Sequence, residues 1–185
     1  VENILGVAAM LFSLKLIKPA QFKRAIASFR AITRRLDKKS SHTRIPIYEG
    51  FGSSYAKAKA AIAAIKLHFP RHRLLVLFEP HTFSWRSRQA LAWYDTVFHG
   101  ADQVLIYKPP VTANFSLQLD LVEIVNRLKR KKVRAIGVET VAAGKKILEQ
   151  TLRTDSSLLI LSSGSFDGLI NVAIKVAERK FPKKS

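Results

Sequence analysis

From Ile45 onward the chain alternates between two hydrophobic periods. Short, largely apolar runs recur at Ile45–Tyr48, Leu74–Phe78, Gln103–Tyr107, Arg134–Val138 and Leu158–Leu161. Between and after them lie stretches with apolar residues three and four apart: Tyr55–His68, Ser87–Phe98, Leu117–Lys131, Val141–Leu152 and Gly168–Arg179. A short run bounded by turn residues suits a strand buried on both faces, and the longer spacing suits an amphipathic helix. Strand followed by helix, repeated along the chain, predicts a mostly parallel sheet with helices on both faces, because parallel neighbours require crossovers. His99-Gly100-Ala101-Asp102 reads as a helix stop that feeds a strand.

The first third is patterned differently. Ile4 to Ile17 predicts one apolar helix, and Pro19 opens another, in the first turn where its missing N–H costs nothing. Phe22, Ile26 and Phe29 then recur at helical spacing. No basic segment precedes the apolar stretch, and Lys15 interrupts it short of the ~20 residues a bilayer span needs. A buried helix, with no membrane span, is the expectation. From Thr33 to Arg44 charge replaces periodicity and predicts a linker, so the expected organisation is residues 1–32, a linker 33–44 and an α/β domain 45–185.

Composition narrows the class. A chain of 185 residues, 48% hydrophobic and 24% charged, is that of a soluble globular protein. The absence of cysteine excludes disulfides and thiolate metal sites and fits a reducing cytoplasm. The first residue is Val1 rather than Met, which suggests a piece of a longer protein. Thirty-two Lys plus Arg against thirteen Asp plus Glu give a net charge of +19. Such a field favours anionic partners: nucleic acid, acidic membrane, nucleotide or sugar phosphate. The cations are spread over most helices, with clusters at Lys129–Lys132 and Lys180–Lys184, and no aromatic-interleaved motif accompanies them. Solvated helix faces account for most of the excess, and no specific nucleic acid is expected.

No phosphate-loop, G-x-S-x-G or H-E-x-x-H pattern is present. His68 and His72 have helical spacing, but Pro70 lies between them, so no metal site is expected. Two segments carry candidate chemistry. Leu77 to Arg86 leaves a strand through a proline-pinned loop, and in open α/β sheets ligands bind outside the carboxyl ends of strands. There His81 suits hydrogen bonding to a carboxylate or phosphate, and the fork of Arg86 suits the same groups. Ser162 to Gly168 places small residues before the last helix, whose first amides form an anion site. A polar loop histidine, a solvated arginine and an ordinary connecting turn remain the alternatives for these features.

Five segments, in order, carry a family resemblance. Glu2-Asn3-Ile4-Leu5-Gly6 with Ala8-Ala9 is similar to H-N-x-x-N-A-x-A-A. Phe29 to Asp37 matches F-x-x-x-x-R-R-hydrophobic-acidic, and Ile47 to Tyr55 takes the place of Y-D-D-F-A-H-H-P. Glu79 to Arg86 is similar to E-P-R-S-N-T-M-R, and Ser162 to Gly168 to S-N-G-G-F-G-G. Together they resemble the C-terminal (third) domain of the Mur ligases, with the last two pointing to the murein peptide ligase branch.

The resemblance implies a three-layer, Rossmann-like α/β domain, with residues 1–32 as the helical end of the central ATPase domain and 33–44 as the hinge. It implies a cytoplasmic, ATP-dependent, ADP-forming ligase of peptidoglycan synthesis or murein recycling. Such an enzyme joins an amino acid or peptide to UDP-N-acetylmuramate through an acyl phosphate. ATP and Mg²⁺ would be held mainly by the central domain, so this chain alone should be inactive. Carried over by motif, Asn3, Arg35 and Glu49 would contact nucleotide. Ser53, Ser54, His81, Arg86, Ser163, Gly164, Ser165 and Phe166 would contact substrate, and no catalytic residue is assigned. The chain departs from the family where Gly6 replaces an asparagine, Gly50 an aspartate, Ser53 and Ser54 a histidine pair and Tyr55 a proline. Glu49 then substitutes for the lost aspartate, or the substrate has shifted, or activity has been lost. A degenerate binding domain and a basic anion- or nucleic-acid-binding module are the alternatives to a working ligase.

Overall fold

A computed structural model of the chain describes residues 2–29, 35–110 and 118–183. The chain divides into two compact units, residues 1–32 and 33–185.

The first unit is a helix pair, α1 (Glu2–Ser13) and α2 (Pro19–Ser28). α1 ends four residues before the apolar stretch does, and Lys15 turns the chain at φ 53°. Pro19 begins α2, where the Gln21 side chain accepts from the Lys18 amide at 2.9 Å. Phe12 and Phe22 meet edge to face. The expected burial is not found within this unit: Leu5, Leu16 and Phe29 are each more than 60% exposed. Two helices alone have too little surface to enclose an apolar stripe.

The second unit runs β1 (Arg35–Lys38), β2 (Ile47–Gly50), α3 (Tyr55–His68), β3 (Arg73–Phe78), α4 (Phe83–Arg86), a 3₁₀ helix (Arg88–Asp95), β4 (Gln103–Tyr107), α5 (Leu121–Arg130), β5 (Ala135–Val138), α6 (Val141–Thr151), β6 (Ser156–Leu161), a 3₁₀ turn (Phe166–Gly168) and α7 (Leu169–Lys180). The sheet order is β1-β2-β6-β3-β4-β5, with every pair parallel except β1 with β2. The expected three-layer α/β architecture is what forms.

Central strands β3 and β6 are apolar on both faces. Leu74, Val76, Phe78, Leu159 and Leu161 pack with α3, the 3₁₀ helix and α5, while Leu75, Leu77, Leu158 and Ile160 pack with α6 and α7. Phe78 lies in a knot of rings with Trp85, Tyr94 and Phe98, each at most 1% exposed. The two polar atoms this buries are satisfied: Trp85 Nε1 donates to the Gly52 carbonyl at 2.7 Å and Tyr94 Oη to the Trp85 carbonyl at 2.9 Å.

Three expected elements are corrected. The linker 33–44 contains β1, which has few apolar residues because it is an edge strand needing only one covered face; Leu36, at φ 60°, marks its bulge. The single helix expected over Ser87–Phe98 is instead a 3₁₀ helix, Arg88–Asp95, set off from the preceding short α4 where Ser87 bridges Gln118. α5 begins at Leu121 because the Asp120 carboxylate caps it, accepting from the Glu123 amide at 2.7 Å. The part of that expectation over 117 lies outside the described residues.

α6 and α7 approach closely at Gly144, where an added methyl would stand 2.7 Å and 2.9 Å from the Leu169 methyls and 3.0 Å from Val138. Leu169 is fully buried and has no room to yield. Alanine gains about 1 kcal/mol of helix propensity over glycine, but overpacking costs roughly 1–3 kcal/mol. Gly144→Ala should therefore lower the urea midpoint with an unchanged slope.

Candidate functional site

The carboxyl ends of β2, β3, β4 and β6 all emerge on one edge of the sheet, and side-chain bonds join their loops into a rim. β6 inserts between β2 and β3, so Phe78 and Leu161 are register partners and the next residues, Glu79 and Ser162, are neighbours. The Glu79 carboxylate, only 6% exposed, accepts from the Ser162 hydroxyl, which in turn accepts from the Gly164 amide at 2.7 Å. His81 Nδ1 stands 3.6 Å from the second Glu79 oxygen, beyond hydrogen-bond reach, and is enclosed without a partner. A methyl on Gly164 would collide with both the imidazole and the carboxylate. Glycine is required there by close approach.

The other loops are tied to this cluster. Thr82 Oγ1 donates to the Ser53 carbonyl at 3.3 Å, joining the loops after β3 and β2. Tyr107, at the end of β4, donates to Asp167 Oδ2 at 2.8 Å. Burial, then the Asp167 carboxylate and the charge of Glu79, push the Tyr107 phenol up to about 12, so it remains a donor at neutral pH. Asp167 sits in a turn where Phe166, Asp167 and Gly168 all have positive φ, at 53°, 49° and 90°. Two non-glycine residues held left-handed in succession are strained, and such strain gathers at functional loops.

The sequence-derived candidates fall in several environments. His81, Ser163 and Gly164 are half-buried within the rim, and Ser163 Oγ is a second enclosed atom without a partner. Ser53 and Ser54 begin α3; Ser53 Oγ accepts from Lys57 Nζ at 3.1 Å, and Ser54 holds the helix N-cap position. Ser165 is exposed at the turn. Arg86 is 9% exposed and bonds the Pro110 carbonyl at 3.2 Å and Gln118 Oε1 at 3.3 Å, leaving its Nε enclosed and unbonded. It anchors both flanks of the loop between β4 and α5. Phe166 is fully buried against Tyr107, so its side chain props the turn from beneath instead of facing a ligand.

The nucleotide candidates have surroundings of their own. Arg35 is exposed and begins edge strand β1 opposite Gly50. Glu49 lies inside β2, not beyond it as expected, and is 4% exposed with an ion pair to Lys39 at 2.7 Å. Asn3 is on α1, and its side chain lies outside the described residues. Glu79, Ser162 and Asp167 lie in the two segments that the sequence marks but were assigned no role there, and Tyr107 was not singled out; that Glu79 and Ser162 each directly follow an apolar run was the available signal.

This architecture defines a doubly wound α/β domain with a polar, partly unsatisfied rim at its carboxyl edge. No family model matches the chain. It is 32% identical over 107 residues to the UDP-N-acetylmuramate–L-alanine ligase of Geobacter sulfurreducens, covering 57% of this chain and 23% of that protein. Among solved structures, the murein peptide ligase of Psychrobacter arcticus superposes with a TM-score of 0.68 at 17% identity, over 85% of this chain and 32% of that one. The UDP-N-acetylmuramate-alanine ligase of Thermotoga maritima gives 0.68 at 20%, over 96% and 36%. By sequence the chain is similar to these ligases, and its α/β unit shares their fold. It spans about a quarter of the length of the Geobacter relative.

Gly164→Ala should force the Ser162–Phe166 turn away from Glu79 and His81. Amide shifts at 79–81 and 162–166 are expected to change with the sheet residues unmoved; unchanged rim shifts would mean the turn is free to relax.

Proposed function

We propose that this chain is the C-terminal part of a cytoplasmic, ATP-dependent amide ligase acting on UDP-N-acetylmuramate, and that its carboxyl-edge rim receives the incoming amino acid or peptide. The observation that carries the reading is that three of the four enclosed, unbonded polar atoms among the described residues, His81 Nδ1, Ser163 Oγ and Arg86 Nε, lie in the segments that follow β3 and β6 at this edge, the fourth being Ser157 Oγ inside β6. Each can donate a hydrogen bond, and a buried donor without an acceptor costs about 1–3 kcal/mol. A substrate carboxylate supplies the missing acceptors. The relatives' names add a ligase context in which such a carboxylate occurs.

In the chemistry proposed, the muramoyl carboxylate takes the γ-phosphoryl group of ATP with release of ADP, and the substrate amine attacks the acyl carbon, expelling phosphate and giving up a proton as the amide forms. The role of this chain is to hold the nucleophile in place, with His81, Ser163 and Arg86 bonding the far end of the substrate and Gly164 keeping the approach open. Arg35, exposed on the edge strand, would meet nucleotide held by a central domain. Among the described residues no group of three or more His, Asp or Glu side chains is placed to hold a metal. No helix among the described residues is long and apolar enough to cross a membrane.

A second reading, a degenerate binding domain, draws on Gly50. A methyl there would lie 3.0 Å from a Leu161 methyl and 3.5 Å from one of Leu36. Packed leucines have closed over the position where the family motif has an aspartate, and Glu49 is held by Lys39.

Steady-state kinetics of the complete ligase separate the readings. ATP turnover should require UDP-N-acetylmuramate together with an amino acid or tripeptide. Arg86→Lys, which keeps the charge but not the fork, should raise KM for the amino acid or peptide about tenfold, the equivalent of ~1.4 kcal/mol, while Arg35→Ala raises KM for ATP. The 185-residue chain alone should not hydrolyse ATP. Gly50→Asp should lower stability without increasing turnover. No ligation with any amino acid or tripeptide, together with retained carboxylate binding, would favour the degenerate domain.

A further inference from the structure

The opposite edge of the same sheet carries a second feature, which the proposed ligase does not use. An open cleft of about 420 Å³ lies at the amino ends of β3, β4 and β5. Arg73, His99, Lys131, Lys132 and Arg134 line it, with Asp102 as the one acidic side chain. β3 is six residues long, so this edge lies about 17 Å from the rim at ~3.3 Å per residue.

The charge of this cleft is uncompensated in one sense. Asp102 Oδ2 is already committed to the Leu74 amide at 2.8 Å and to Lys66 Nζ at 3.0 Å. Burial works against its charged form, but those two partners, with the nearby charge of Arg73, outweigh it and hold the carboxyl below its usual range. Asp95 takes up part of the charge of Lys131 at 3.3 Å, though its principal partner is Arg127. Arg73, Lys132 and Arg134 remain as cations around the opening. Lys132 is fixed at φ 62° in the turn that ends α5, and Arg134, two residues on, immediately precedes β5.

Helix-dipole compensation does not account for this arrangement. It stabilises cations within the last turn of a helix, which fits Lys129 and Arg130 of α5. Arg73 begins a strand, and Lys132 and Arg134 lie past the helix end. The volume falls within the roughly 300–1,000 Å³ of small-ligand sites.

The geometry points to a second binding site here, for an anion carrying linked phosphoryl groups. A monoanion would leave most of the charge unmatched. Two or three phosphoryl groups in a row match several cations at once, and arginine forks suit phosphate oxygens in pairs. Free oligophosphate and the backbone of a nucleic acid present the same groups, and they differ in how far beyond the cleft they reach.

The test titrates the 185-residue chain with sodium tripolyphosphate, and separately with a 12-nucleotide single strand, by calorimetry and amide chemical shifts. Two charge-matched double variants are compared: Lys132→Glu with Arg134→Glu in the cleft, and Lys145→Glu with Lys175→Glu on the α6–α7 surface. Thermal melts check that each is folded. We expect one tripolyphosphate per chain, shifts concentrated at 99–102 and 131–134, at least tenfold weaker binding in the cleft variant and less than threefold in the other. An oligonucleotide that displaces tripolyphosphate from those residues, with a steep salt dependence, identifies nucleic-acid phosphates as the source. An oligonucleotide that fails to displace it identifies a free oligophosphate. Absent binding, shifts scattered over the surface, or equal losses in the two variants would overturn the site. None of these outcomes depends on whether the complete protein ligates anything.

Discussion

Strands β3 and β6 present apolar side chains to both sides of the sheet, and most of the fold follows from covering them. All six residues of β6 are buried, as are Leu74 to Phe78. One layer of helices would leave half of those side chains in water, at roughly 1.5–3 kcal/mol for each large one. α3, the 3₁₀ helix and α5 therefore cover one face while α6 and α7 cover the other. Because the two strands are parallel and adjacent, both of their exits fall on the same edge. The site is a by-product of that geometry: Glu79 and Ser162 meet because Phe78 and Leu161 are paired.

The same strands were the most legible part of the sequence. An uninterrupted apolar run can only be accommodated in the interior, so the expected Leu74–Phe78 and Leu158–Leu161 fall within β3 and β6, and Gln103–Tyr107 and the amphipathic helix Tyr55–His68 are found with the expected bounds. Legibility falls where burial is one-sided or stabilisation is not local. β1 has Leu36 as its one apolar residue, and its register comes from β2, not from any pattern of its own. The 3₁₀ helix Arg88–Asp95 carries helical spacing, but the Ser87–Gln118 bridge that ends α4 joins residues 31 positions apart. No periodicity reports such a contact.

The candidate site was legible by position and less so by role. Loops at strand exits could be picked out, and His81, Ser163 and Gly164 do gather there. Which side chains face outward was decided by packing. Phe166 turned inward to Tyr107, Arg86 committed its Nη1 to the loop after β4 and left its Nε unbonded, and Glu49 found Lys39 inside the domain. Glu79, the hub of the rim, passed as a turn residue because a carboxylate after a strand ordinarily faces water. Net charge was similarly ambiguous. A total of +19 says nothing about where cations converge, and folding brings Arg73 together with Lys132 and Arg134 from distant parts of the chain.

The rim is held by side chains reaching between loops: Thr82 to Ser53, Tyr107 to Asp167, Ser162 to Glu79. The sheet beneath it is held by continuous backbone ladders. These two kinds of bonding open at different cost. A ladder bond inside β3 or β6 is lost only when the core is breached, whereas a loop-to-loop bond can break while the sheet stays intact. The domain therefore has a mechanical division of labour written into it. Its floor opens only with the core, and its upper surface can loosen one strand exit at a time without any excursion toward the unfolded state.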